Sequence, residues 1–345
     1  MKLRHAFILT GCVLASAAWA FDPLPTTVPA PANNPTTPAK VALGKALYFD
    51  PRLSKTGTVS CQSCHHVTSN GTDNRMVSMG VYGLTGQRSA PTVWNSGFLS
   101  AQFWDGRAPS LEEQAKGPLV NPVEMGMTDL NTVVSEVNRI PGYVQQFQQV
   151  FGDTHSVTID HIVEAIAAYE RTLVTPNSPF DRYLAGDKTA LSVEAQKGMA
   201  LFQSVGCITC HSGANFAGPP LPPGQGFFQK FPLYPSEYDA QYHLTEDLGR
   251  YTVTHNVADK NVWRVPSLRL VALTAPYFHN GQVPTLDSAV RVMAKSQLNH
   301  TLTDEETREI VAFLNALPGQ FPPQTLPTLP QTPNHSVVID ETPRR

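Results

Sequence analysis

Apolar residues recur every three or four positions in six stretches, residues 39–49, 129–138, 159–173, 192–204, 285–295 and 303–317, and this spacing predicts amphipathic helices. Several carry start signals. Ser192 precedes Glu194 and an apolar face, and Thr303 precedes Glu305 and Glu306, which places side-chain acceptors and negative charge at helix N-termini. No run alternates apolar and polar residues over a convincing strand length, so the pattern predicts a mainly α fold. Many of the 23 glycines and 30 prolines fall in loops, notably 213–235, a stretch long enough to predict a functional excursion.

The pattern also repeats. Leu43-Gly44-Lys45-Ala46-Leu47-Tyr48-Phe49 precedes Cys61-Gln62-Ser63-Cys64-His65, and Gly198-Met199-Ala200-Leu201-Phe202 precedes Cys207-Ile208-Thr209-Cys210-His211. Helical periodicity breaks between Thr175 and Asp187, which predicts a boundary between two units, 39–180 and 181–320. The Pro-rich stretches 21–38 and 321–345 flank them. The first is expected to be a mobile leader, and the second to wrap the surface or be disordered.

Residues 1–20 combine a basic start, Met1-Lys2-Leu3-Arg4-His5, with a short apolar run and a close on Ala18-Trp19-Ala20. That is the plan of a cleaved secretory signal. A rival reading takes Leu9-Thr10-Gly11-Cys12 as a lipid-attachment box, but the apolar run continues past Cys12. No later stretch approaches the ~20 apolar residues of a membrane helix. A net charge of −3 with only 15% charged residues leaves no basic footprint for nucleic acid. Removing the signal takes Cys12 with it, and the remaining four of the five cysteines are all motif cysteines.

In a Cys-x-x-Cys-His unit two thiols can add across the vinyl groups of haem while the adjacent histidine reaches the iron. A redox dithiol or half a zinc site has no use for the following histidine. Cys61, Cys64, Cys207 and Cys210 are therefore predicted to attach two c-type haems, with His65 and His211 as iron ligands. His66 is read as a surface or neighbouring histidine.

The run 103–125, Phe-Trp-Asp-Gly-Arg-Ala-Pro-Ser-Leu-Glu-Glu-Gln-Ala through Asn121-Pro122-Val123-Glu124-Met125, resembles the bacterial dihaem cytochrome c peroxidases. So do Asp181-Arg182-Tyr183-Leu184-Ala185-Gly186-Asp187, Val265-Pro266-Ser267-Leu268-Arg269 and Ala275-Pro276-Tyr277-Phe278-His279-Asn280-Gly281. The resemblance implies two cytochrome c-like domains, each binding one covalent haem, in a periplasmic enzyme. Hydrogen peroxide would meet the N-terminal haem, and a small cytochrome c or cupredoxin would deliver electrons to the C-terminal one. It implies Met293, fourteen residues beyond His279, as sixth ligand of the C-terminal haem; on spacing alone Met293 reads as core, beside Leu286, Ala289 and Val290. It implies Glu124 as acid–base catalyst, Gln114 as orienting amide and Trp104 between the haems, each of which would otherwise be an ordinary surface or core residue. Arg107, Arg250 and His279 are candidates for haem propionates. A calcium ion between the units would use carbonyls of Thr274 and Pro276, with Ser89 where the family has asparagine. Family members are commonly homodimers.

One position departs from the family. Many members carry a histidine that caps the peroxidatic iron until the other haem is reduced. Here that position is Val81, followed by Tyr82, so an open site is expected unless Tyr82 or Met79 substitutes. Two other functions compete. An enzyme that oxidises side chains of a partner protein, as in tryptophan tryptophylquinone maturation, would use tyrosine in place of Met293. A plain electron carrier would leave Glu124 and Gln114 idle.

Overall fold

The computed structural model describes residues 21–152 and 157–332. The signal segment 1–20, with Cys12, and the end of the tail lie outside the described residues. Within them the chain is mainly helical. Twelve helices and one two-stranded antiparallel ribbon, β1 (Phe228–Lys230) with β2 (Val262–Arg264), are its regular elements beside short 3-10 turns.

Helix α1 (Pro38–Phe49) starts at Thr37, whose hydroxyl accepts the Lys40 amide, with Pro38 where a missing N–H costs nothing. The single turn α2 (Cys61–Cys64) is the first motif itself. Then come α3 (Leu111–Val120), α4 (Leu130–Asn138), α5 (Pro141–Phe151) and α6 (Ile159–Glu170), capped at the N-terminus by Ser110, Asp129 and Thr158 for α3, α4 and α6. These enclose a first core that includes Leu43, Leu47, Trp94, Phe147 and Ile166, against which Cys61 packs. After Leu173 the chain crosses to a second core beginning at Phe180. It is built from α7 (Pro179–Leu184), α8 (Val193–Ser204), α9 (Glu237–Gln241), α11 (Leu286–Leu298) and α12 (Asp304–Leu314), with the short α10 (Tyr251–Thr254) outside it. Cys207 and Met293 pack against this core.

The sequence repeat has a steric basis. A Cβ on Gly44 in α1 would lie 1.8 Å from the Ala165 carbonyl oxygen of α6, and a Cβ on Gly198 in α8 would lie 1.8 Å from the Glu309 carbonyl oxygen of α12. In each half the helix before the motif crosses the half's closing helix backbone to backbone, and only glycine permits that approach.

The leader, for which composition suggested mobility, makes specific contacts with both cores. Phe21 inserts among Phe180, Phe216 and Phe313, with centroids 5.3, 5.5 and 5.8 Å away. The Leu24 amide donates to Asp181. Further on, Asn34 is 1% exposed, donates to Glu112 at 2.7 Å and accepts from Lys40 at 2.7 Å. The leader thus starts on the second core and ends on the first. Residues 321–332 wrap the first core, as the surface-wrapping alternative expected. Phe321 lies edge-on to Trp94 at 5.0 Å, Gln324 accepts from Tyr169, and the Pro330 carbonyl accepts from Arg52. Proline-rich chain makes few internal hydrogen bonds, so side-chain anchors fix it instead. Among the described residues no helix is long and apolar enough to cross a membrane.

Candidate active site

Each motif histidine is oriented by a backbone carbonyl. His65 Nδ1 lies 2.9 Å from the Pro91 carbonyl and His211 Nδ1 lies 3.1 Å from the Phe216 carbonyl. A ring that donates from Nδ1 presents the Nε2 lone pair, the arrangement that a metal-ligating imidazole needs. Burial also lowers both imidazole pKa values, which favours the neutral, ligating form. The Tyr48 hydroxyl donates to the His65 carbonyl at 2.8 Å and ties the first motif to α1.

The four motif thiols form no disulfide. Burial pushes Cys64 up to about 11 and Cys207 up to about 12, and raises Cys61 and Cys210 as well. A thiolate is penalised here, whereas an uncharged thioether is not. Both motifs therefore fit covalent haem.

Glu124 sits on the turn after α3, on the same arm as Gln114. That turn folds back on the helix: the Met125 amide donates to the Pro118 carbonyl at 3.2 Å and the Met127 amide to the Leu119 carbonyl at 3.0 Å. Burial raises the Glu124 pKa, opposed by the Arg107 charge and by Asn121, whose Nδ2 donates to Oε1 at 2.8 Å. The Glu124 charge adds to the forces that disfavour ionisation of Cys61 and Cys64, so the carboxyl lies within electrostatic reach of the first motif. Asn121 also accepts the Val123 amide on its side chain and the Glu124 and Gly126 amides on its carbonyl. The sequence displayed Asn121 in its motif, yet nothing in residue type marked it as the hub of this turn.

Trp104 bridges the halves. It packs against the second core, its indole donates to the Ser89 carbonyl at 2.9 Å, and its own carbonyl accepts the Arg264 amide at 2.9 Å. The Ser89 amide in turn donates to the His279 carbonyl at 2.8 Å. Arg250 donates to the Asp105 carbonyl and lies 4.1 Å over the Phe228 ring, while Arg107 pairs with Asp105. Met293 lies half-buried on α11.

At the inter-unit seam the Ser89, Thr274 and Pro276 set offers a hydroxyl and two carbonyls, far short of calcium's usual six to eight oxygens. The Asn74 amide donates to the Ala275 carbonyl at 2.7 Å, and Asn70 donates to the Leu273 carbonyl. Among the described residues no group of three His, Cys, Asp or Glu side chains could hold a metal ion. These amide-to-carbonyl bonds cross the seam at Leu273 and Ala275 and leave the Thr274 and Pro276 carbonyls to the calcium expectation.

Val81 is 1% exposed and belongs to the first core, where its methyl lies against Gly126. Its amide donates to the Glu124 carbonyl at 2.8 Å. Met79 and Tyr82 are 49% and 48% exposed.

A helical chain with two such motifs, each oriented on its own core, defines a class of protein made to hold two haems. Residues 38–189 match the family model of the di-haem cytochrome c peroxidases. Cytochrome c551 peroxidase of Nitrosomonas europaea is 44% identical over 312 residues, spanning 88% of this chain and 90% of the relative. Cytochrome c551 peroxidase of Pseudomonas aeruginosa is 44% identical over 315 residues, spanning 91% and 88%. Among solved structures, a MauG-like protein associated with microbial copper homeostasis matches with a TM-score of 0.73 at 28% identity, over 88% of this chain and 95% of that one. The chain belongs to the di-haem cytochrome c peroxidase family, and haem is the cofactor that membership implies.

Proposed function

We propose that this chain reduces hydrogen peroxide to water, H2O2 + 2 e− + 2 H+ → 2 H2O, with electrons from a small cytochrome c or cupredoxin. The observation that carries this reading is Glu124, a partly buried carboxyl of raised pKa held by Asn121 within electrostatic reach of the first motif. Two c-type haems, attached at Cys61 and Cys64 and at Cys207 and Cys210 and ligated by His65 and His211, supply an iron centre for peroxide and a store of electrons. Glu124 takes the proton from one peroxide oxygen and delivers it to the other, the leaving one. Asn121 fixes its Oε1, so Oε2 is the oxygen that exchanges the proton. The Gln114 amide orients the peroxide. Met293 would serve with His211 as a ligand of the second haem, where a thioether would raise the potential as an electron-entry site requires. Trp104 lies on the route between the two.

Export to the periplasm after loss of residues 1–20, domains over 39–180 and 181–320, and assembly as a homodimer complete the proposal. Steady-state peroxide turnover with reduced cytochrome c tests it: turnover is expected, and its absence from both the fully oxidised and the one-electron-reduced enzyme overturns it.

The buried Val81 supports a further element of this reading. Valine offers no lone pair to a metal, and its side chain is committed to the core. The first site therefore admits peroxide without prior reduction. A high-spin signal in the electron paramagnetic resonance spectrum of the oxidised enzyme, and equal turnover from both starting forms, are expected; two low-spin signals alone would sink the idea. An open first site also suits oxidation of a partner protein's side chains, but Met293 in place of a tyrosine favours the peroxidase. A plain electron carrier leaves the Asn121–Glu124 pair without a task.

A further inference from the structure

Two buried ring nitrogens near the inter-unit seam have no hydrogen-bond partner in the protein. Trp263 on β2 is 5% exposed and His279 is 2% exposed. Their rings stack at 4.1 Å between centroids and 18° between planes. The indole Nε1 and the imidazole Nε2 are both buried and unpaired. Buried donors are rarely left so, which makes the pair informative.

Nearby carboxylates are already committed. Asp247 receives Arg88 on both oxygens and the Gly249 amide on Oδ1. Asp105 receives Arg88 and Arg107. The Arg88 guanidinium lies 5.0 Å over the Trp263 ring, and its own pairing with Asp247 and Asp105 leaves neither carboxylate bonded to the two ring nitrogens. Gly249 takes a left-handed φ of +60°, and a Cβ there would lie 3.0 Å from the indole; the backbone makes room for this ring. Trp263 shares the second core with Ile208 of the second motif and with Met293.

We infer that Trp263 and His279 together hold a carboxylate of the second haem, with the Trp263 indole as the donor that sequence reading did not assign. The inference rests on the two-haem reading above. An indole N–H donates and never accepts, so it stabilises the ionised carboxylate and offsets its charge at the iron.

Trp263→Phe keeps a ring against His279 and removes only the donor. Both haems should remain, counted by pyridine haemochromogen per chain. The midpoint potential of the second haem should fall, its reduction equilibrium shifting about tenfold, or ~59 mV for one electron, since the unshared carboxylate charge favours oxidised iron. An unchanged potential overturns the inference. A wild-type protein with one haem per chain overturns the two-haem reading itself, before any variant is made. Should the variant fail to fold, ultraviolet resonance Raman on the wild-type holoenzyme decides. Trp94 and Trp104 already donate to carbonyls, so a non-hydrogen-bonded indole signal would come from Trp263 and would reject the carboxylate contact.

Discussion

Glu124 and Glu170 are both carboxyls whose ionisation burial opposes, but only one faces the chemistry. A base must be ionised to accept a proton, so kcat/KM should fall as pH drops through the raised Glu124 pKa, giving an acid limb displaced upward from that of an ordinary glutamate. Asn121→Ala removes a donor that favours the ionised form and should move that limb to higher pH. Glu124→Gln should lower kcat/KM by ~10²–10⁴; pH-rate profiles of the three proteins check this, and a wild-type limb unmoved by Asn121→Ala would reject the assigned role. Glu170 is 6% exposed, and its Oε2 has no partner. Burial, with help from Glu112 and against Arg171, pushes its pKa to about 8. Between the ordinary glutamate value, about 4.5, and about 8 the folded chain binds a proton that the unfolded chain has released, so this group's contribution to stability falls as pH rises through that window. Glu170→Gln should remove that slope, worth on the order of a few kcal/mol. Melting temperatures measured from pH 5 to 8 would show it, and parallel curves for wild type and variant would contradict it.

At the scale of elements, helix propensity and helix crossing oppose each other at Gly44 and Gly198. Alanine in an exposed helix interior would gain ~1 kcal/mol over glycine. Here its Cβ would meet a carbonyl oxygen at 1.8 Å, and overpacking costs ~1–3 kcal/mol or more. Gly198→Ala should therefore lower the unfolding free energy in denaturant titrations; a gain would mean that α8 and α12 have room to separate. Helix starts were legible because caps are local: Asp129, Ser192, Thr285 and Thr303 each accept from the first turn. Ends were less so. The apolar pattern of 192–204 ended at Ser204 as does α8, but that of α6 ran to 173, because Leu173 is buried in the turn that follows the helix end at Glu170. Helix α3 was not among the periodic stretches; it carries Pro118 near its C-terminal end, where little helix remains to lose.

For the whole molecule, the terminal segments act as straps. The leader joins the second core at Phe21 to the first at Asn34, and the tail lies over the first core. Phe21→Ala should cost ~2 kcal/mol, below the value for a fully buried ring because Phe21 is only partly buried. A fall in the thermal midpoint of mature protein checks this, whereas an unchanged midpoint would mean that the ring contributes nothing to the second core.

Two motifs, their order, the mainly helical pattern and the Gly44 and Gly198 repeat were set by sequence alone, because each is a local arrangement of residue types with one dominant chemical use. Tertiary structure decided what depends on distant partners. It paired Asn121 with Glu124, turned Val81 into the core, anchored a proline-rich leader whose composition predicted mobility, and left Trp263 and His279 stacked with unpaired donors. Burial and hydrogen-bond geometry, which hold these together, arise only when segments far apart in the chain meet.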